Sequence, residues 1–345
     1  MTNKRTEIST LGEFGLIERI KSNFSLRHKS SVLGIDDDAA VIDAGKTYIL
    51  LSTDMLLEGV HFDLSFTPLQ HLGFKSVAVN VSDIAAMNGV PKQITVNVGI
   101  SNRFSVEAID ALYSGIQSAC EAYKVDLVGG DTTASASGLV ISISIIGEVN
   151  KKDLVKRSTA QAKEILCVTG DLGAAYMGLQ VLEREKQEFL ENPDMQPQLE
   201  GYSTIVGRQL KPEARMDIIY DLKDKGILPT SMIDVSDGLA SDLFHICRQS
   251  NVGAVLYEDK LPIDEQTYQT AGSFKIDPVT CVMNGGEDYE LLFTIRQEDY
   301  ETIKNHPDIH FIGYIQPADK GINLVTKGEN IVPLRAQGWD HFQKG

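Results

Sequence analysis

Apolar residues in this chain come in short runs, and most runs end in glycines, hydroxyls or acids. Ile49-Leu50-Leu51 is short enough for a buried strand and stops at Ser52-Thr53-Asp54. Val125 to Val128 reads as a second buried strand, ending at Gly129-Gly130-Asp131-Thr132-Thr133. Leu139 to Ile146 alternates around Ser142 and Ser144, the pattern of a half-buried strand. Further strands are expected over 94–100, 165–169, 231–235, 253–257 and 290–295. Helical spacing appears in Gln70 to Met87, with apolar residues at Leu72, Val77, Ala78, Val81, Ile84 and Ala85. Asn80, Ser82 and Asp83 interrupt that surface. Ser105 to Ala122 is a second helix, with Ser105 as N-cap and Glu107 in its first turn. Further helices are expected over 12–21, 174–185 and 239–250. Strands alternate with helices in both halves, so the fold class is α/β (α+β). The charged segment Asn150 to Glu164 lacks apolar periodicity and marks the expected boundary between two domains, 1–150 and 151–345. The polar stretch between about Glu183 and Gly201 reads as a surface insertion with no assigned role.

Composition narrows the function. The 345 residues suffice for two domains, and 42% hydrophobic with 23% charged residues is ordinary for a globular protein. No apolar run is long enough to span a membrane. The N-terminus lacks the apolar core of a signal peptide, which points to the cytoplasm. Cys120, Cys167, Cys247 and Cys281 are widely spaced and read as buried thiols of a reducing compartment. A net charge of −16 argues against nucleic acid as a partner. It is compatible with an anionic substrate if divalent cations invert the local charge.

One motif misleads. Ala40 to Thr47, AVIDAGKT, fits a relaxed phosphate-loop pattern, but it runs into the apolar stretch YILLSTD rather than a helix. A phosphate loop needs the helix N-terminus, so Gly45-Lys46 is expected to be a hairpin turn.

The chemistry lies in a repeat. At five places small or polar residues lead from a strand end into acids: Asp37-Asp38, Ser52-Thr53-Asp54, Gly130-Asp131-Thr132, Asp234-Val235-Ser236-Asp237 and Gly286-Glu287-Asp288. Asp83 adds a sixth acid, on a helix. Hard oxygen ligands of this kind suit Mg²⁺, and glycines allow close approach of backbone to phosphate. Each instance alone is ordinary turn chemistry. Together they point to a multi-metal phosphate site. No nucleophile–base pair and no HExxH stands out. Phosphoryl transfer to an acceptor that is itself a phosphate needs positioning and charge neutralisation more than a base.

The segments GEFGLI, GIDDDAAV, STDMLLEGVHF, NVSDIAAM, GGDTT, IDVSDGLASDL, GGEDYELLFT and GWDHF, in this order, resemble the thiamine-monophosphate kinase family, from about Gly12 to Phe342. That family shares a superfamily with aminoimidazole ribonucleotide synthetase. The resemblance implies a two-domain fold of that type: an N-terminal domain that dimerises, and a C-terminal α/β domain that completes the substrate site. It implies ATP as co-substrate, several Mg²⁺ ions, thiamine monophosphate as acceptor and a homodimer. Carried over by motif, Asp38, Ser52, Thr53, Asp54, Asp83, Asp131, Asp234 and Asp237 would hold metal, with Asp54, Asp83, Asp131 and Asp234 at the reacting centre. Gly130, Asp131, Arg157 and Ser236 would contact ATP. His61, Glu287 and Trp339 or Phe342 would contact thiamine monophosphate. One departure stands out: Asp36 occupies the position where the family carries a glycine.

Blander readings exist for each. His61 would serve equally as a surface histidine, Arg157 as part of a solvated charge run, and Trp339 as a packing anchor. Two rival functions are another ATP-dependent enzyme of the superfamily and a non-catalytic divalent-cation-binding protein. Against the first, there is no N-terminal loop cysteine and no C-terminal cysteine. Against the second, no EF-hand loop is found and cation binding alone leaves the Gly-Gly turns unexplained.

Overall fold

A computed structural model describes residues 8–334. The N-terminal part runs α1 (Gly12–Lys21), β1 (Ser31–Leu33), β2 (Ala40–Asp43), β3 (Thr47–Leu57), α2 (Leu69–Ala86), β4 (Val90–Ile100), α3 (Val106–Tyr123), β5 (Asp126–Ala134) and β6 (Val140–Asn150). Its six strands form one sheet in the order β1-β2-β3-β6-β4-β5. Of the neighbouring strands in this sheet, only β4 and β5 pair in parallel, because α3 crosses between them.

The C-terminal part runs β7 (Ile165–Thr169), α4 (Ala174–Glu191), α5 (Ser203–Leu210), α6 (Met216–Asp224), β8 (Ser231–Asp234), α7 (Leu239–Ser250), β9 (Val252–Tyr257), α8 (Glu265–Ser273), α9 (Pro278–Asn284), β10 (Leu291–Ile295), α10 (Tyr300–Ile303), β11 (Ile309–Pro317), β12 (Ile322–Val325) and β13 (Ile331–Pro333). The seven strands are ordered β13-β12-β9-β11-β7-β10-β8. This mixed α/β architecture agrees with the class expected from the pattern. Ser105 caps α3 as expected, its Oγ accepting from the Ala108 N–H at 3.3 Å.

Helix α2 is the central element. It is buried on nearly every side, including Lys75, Ser76, Asn80 and Ser82. The largest apolar cluster joins its Leu72, Val77 and Ile84 to the N-terminal sheet through Leu50 and Ile143, and to the C-terminal sheet through Met232 and Phe293. Gly73 of α2 and Gly115 of α3 let the two helices touch. A Cβ on Gly73 would stand 2.0 Å from the Leu112 carbonyl oxygen, and one on Gly115 1.9 Å from that of Gln70.

Several strand ends differ from expectation. β3 does not stop at Ser52; it continues through Asp54 to Leu57, paired along its whole length with β6. β5 likewise includes the whole Gly129–Thr133 segment, and it is exposed rather than buried because it is the sheet edge. Polar residues end an apolar run without ending the strand when ladder hydrogen bonds continue. α4 runs on to Glu191, so the insertion begins as helix. The Gly45-Lys46 segment is a hairpin turn as expected, with Gly45 at φ +90°.

Candidate active site

Alternation along β3 sorts its residues onto two faces. Leu50, Ser52, Asp54 and Leu56 face α2, whereas Leu51, Thr53 and Met55 face outward. Ser52 Oγ donates to Asp83 Oδ2 of α2 at 2.5 Å and lies 3.1 Å from the Asp38 carbonyl oxygen. The Asp54 N–H donates to Asn80 Oδ1 at 3.2 Å. From the other sheet, Asp234 at the end of β8 accepts from Ser82 Oγ at 2.7 Å. Asp38, Asp83 and Asp234 thereby converge, each offering a carboxylate oxygen within 4.8 Å of the others. Two sheets and one helix supply this centre.

The electrostatics arise from crowding like charges away from water. Burial, and then the carboxylates of Asp54, Asp234 and Asp38, push Asp83 well above the usual carboxylate range. Burial pushes Asp54 up to about 6. Burial followed by Asp38 pushes Asp234 up to about 7. Asp37 rises to about 7 from burial and its neighbour Asp38. Such a set suits divalent cations: hard oxygens, close together, short of positive charge.

Arg157 supplies part of that charge. Its guanidinium forms a short two-pronged pair with Asp38 and stands 3.8 Å from Asp37 Oδ1. Its carbonyl accepts from Ser231 Oγ at 2.9 Å and Ser250 Oγ at 2.8 Å. Arg157 therefore fastens the acidic loop to the C-terminal half and is not part of a solvated charge run. Asp36 turns outward to Lys21 Nζ at 2.6 Å, and it is not among the residues at positive φ. The loop thus accommodates the aspartate, whose charge is taken up by a surface pair.

The remaining candidates divide. Glu287 sits in the turn after α9, beside Ser236: its N–H donates to the Ser236 carbonyl at 2.8 Å. Asp237 comes next after Ser236, and its N–H donates to the buried Asp242 at 3.3 Å. His61 Nδ1 accepts from the Leu57 N–H at 3.1 Å, in the loop leaving β3. Thr53 is not brought to the acid centre; its hydroxyl bonds the Ile143 carbonyl at 3.0 Å on the outward face. Asp131 lies on edge strand β5, in register with Asn97. Gly130 precedes it where a Cβ would meet the Val96 carbonyl oxygen at 1.9 Å. Trp339 and Phe342 lie outside the described residues.

Sequence reasoning named Asp37 only as part of the acidic loop and assigned no role to Lys75, Asn80, Ser82, Gln209 or Asp242. The available signal was in α2, where Lys75, Ser76, Asn80, Ser82 and Asp83 stand in an otherwise apolar helix. Buried polar residues in such a helix must find partners.

The comparisons with known proteins agree with this geometry. The family model of AIR synthase related protein, N-terminal domain, matches residues 36–149, and that of the C-terminal domain matches 164–319. Thiamine-monophosphate kinase of Bacillus subtilis (strain 168) is 32% identical, covering 96% of this chain and 100% of its own length. The same enzyme of Aquifex aeolicus (strain VF5) is 32% identical, over 97% and 99%. A solved structure of AaThiL complexed with AMPPCP and TMP superposes with a TM-score of 0.82 at 30% identity, covering 99% of this chain and 100% of that one. On these grounds the chain belongs to the thiamine-monophosphate kinase family, among the AIR synthase related proteins.

Proposed function

We propose that this protein transfers the γ-phosphoryl group of ATP directly to the phosphate of thiamine monophosphate, giving thiamine diphosphate and ADP. The observation that carries this reading is the convergence of Asp38, Asp83 and Asp234 at the seam of the two sheets, with Glu287 in a neighbouring turn. Mg²⁺ bound by Asp38, Asp54, Asp83 and Asp234, with Ser52 beside them, would neutralise the charge of the facing phosphates. Asp131 and Asp237 would join a metal or the nucleotide from the edges of this centre. Arg157, Gly130 and Ser236 would hold ATP, the glycine by close backbone approach. The acceptor is a phosphate oxygen that is largely ionised at neutral pH, so no side chain has to remove a proton. The acids orient and hold; they do not act as bases. His61 and Glu287 would contact the thiamine moiety, with Trp339 or Phe342 stacking on its rings.

In this reading residues 1–150 bind nucleotide and metal and dimerise, and residues 151–345 complete the substrate site. A homodimer is supported by the outward sheet face, where Leu51, Met55 and Ile146 are exposed beside Thr53 and Ser144, and by Leu127 and Val128 on β5. A cytoplasmic location is supported by four cysteines that remain free thiols.

The test is purified protein with ATP and Mg²⁺, offered thiamine monophosphate, free thiamine or aminoimidazole precursors. Thiamine diphosphate and ADP are followed by chromatography. Thiamine diphosphate from the monophosphate alone is expected. ADP with only another acceptor would move the protein to a different reaction of the superfamily.

A further inference from the structure

We infer that Lys75 is a positioning residue that presents the Glu287 carboxylate to the organic part of the acceptor substrate. Lys75 is 2% exposed, a rare state for a lysine, and it needs a compensating charge. Its Nζ lies 2.9 Å from Glu287 Oε1 and 3.4 Å from the Gln209 carbonyl oxygen. Gln209 in turn donates from Nε2 to Glu287 Oε2 at 2.8 Å. Both carboxylate oxygens are therefore held from behind, one by α2 and one by α5. A carboxylate accepts about four hydrogen bonds, and these two ties leave capacity over. The Glu287 side chain keeps 27% of its surface exposed, so the rest of its accepting capacity faces outward.

The backbone around it is strained in a matching way. Glu287 and Tyr289 both lie at positive φ, +59° and +53°, although neither is glycine. Such conformations persist only where the surroundings over-determine them, and they concentrate at ligand sites. Here hydrogen bonds from Glu287 N to Ser236 O and from Tyr289 N to Val235 O hold the turn, at 2.8 and 2.9 Å. At Gly286, also at positive φ, a Cβ would stand 2.6 Å from the Ser236 oxygen. A turn serving only to connect α9 to β10 would not require a glutamate at positive φ fastened by two other elements. The thiazolium ring of thiamine monophosphate is cationic, and a carboxylate with fixed direction selects where that cation sits. Lys75 supplies the countercharge that keeps Glu287 fixed before the substrate arrives.

Lys75's role rests on the reading of Glu287 as a substrate contact, and the variants separate the two. Lys75→Met and Lys75→Arg are made in the full chain, and KM is measured for each substrate. Lys75→Met is expected to raise KM for thiamine monophosphate about tenfold or more and to leave KM for ATP within about twofold. Lys75→Arg is expected to recover most of the loss. An unchanged KM for thiamine monophosphate, or an equal rise in both KM values, overturns the role and leaves a packing tie. If Lys75→Met does not fold, Gln209→Leu loosens the other oxygen; the same split is expected of it, and its absence overturns the role equally. Glu287→Gln decides the underlying reading. If it leaves KM for thiamine monophosphate unmoved, Glu287 is no substrate contact and both ideas fall. If it raises that KM while Lys75→Met does not, only the role of Lys75 falls.

Discussion

The acid centre and the Glu287 turn are both built on α2, yet they treat charge in opposite ways. At the centre, Asp38, Asp83 and Asp234 crowd together, and the cation that answers them among the described residues is Arg157. At the turn, one carboxylate meets one buried ammonium, and the pair is neutral within the protein. The first region is stable as ions only when positive charge arrives from outside. The second carries its own. A site for polyphosphate with cations needs the former; a site that fixes the direction of one organic cation needs the latter.

The contrast breaks most visibly at Asp83. Asp83→Asn is expected to lower phosphoryl transfer about a hundredfold or more, by removing a carboxylate that would hold Mg²⁺ against the reacting phosphates. The same change should raise the melting temperature of the cation-free protein by about 2 °C, because it relieves buried repulsion. Calorimetry without Mg²⁺ checks this, and a fall in melting temperature would show that the acids are not in conflict. Next in size is the effect of pH on cation binding. Asp54 and Asp234 are raised from 3.8 to about 6 and about 7, so the folded protein holds protons that the unfolded chain has released. In the cation-free protein these groups cost stability progressively as the pH rises from about 4 to about 7; the cost is complete above about pH 7 and is relieved as the pH falls back towards 4. Mg²⁺ competes with those protons. Its stabilisation should therefore be large at about pH 8 and small at about pH 5.5, read as the shift in melting temperature at fixed Mg²⁺.

At the compensated end the effects are smaller. Glu287→Gln should raise KM for thiamine monophosphate about tenfold while leaving the Mg²⁺ shift in melting temperature unchanged. A changed Mg²⁺ response would join the two regions into one electrostatic unit. The smallest effect is expected at the false phosphate loop. Lys46→Ala, in an exposed turn, should leave ATP affinity within about twofold, measured by titration calorimetry.

The acids of the centre were legible in the sequence because each lies in a short, distinctive segment. Their sorting was less so. Ser52 and Asp54 face the centre and Thr53 does not, a consequence of strand alternation once β3 is known to continue past Ser52. The sequence suggested an end there because polar residues replaced apolar ones. Partners from distant segments were hidden for a different reason. Lys75 and Glu287 are far apart in the chain, and a lysine beside Phe74 on a helix looks like an ordinary snorkelling side chain. Arg157 in a charge-rich segment looked solvated until the acidic loop closed over it.

Helix α2 gives the molecule a ruler. Lys75 and Asp83 are about eight residues apart on it, which at the usual rise per residue separates them by about 12 Å. A helix neither stretches nor bends easily, so the spacing between the neutral end and the charged end is set by a residue count. Inserting or deleting one residue between them would turn one end against the other by about 100°. Loops that carry no site residue can change length without altering this spacing. This helical interval cannot, and a substrate longer or shorter between its cation and its phosphate would meet the protein at only one end.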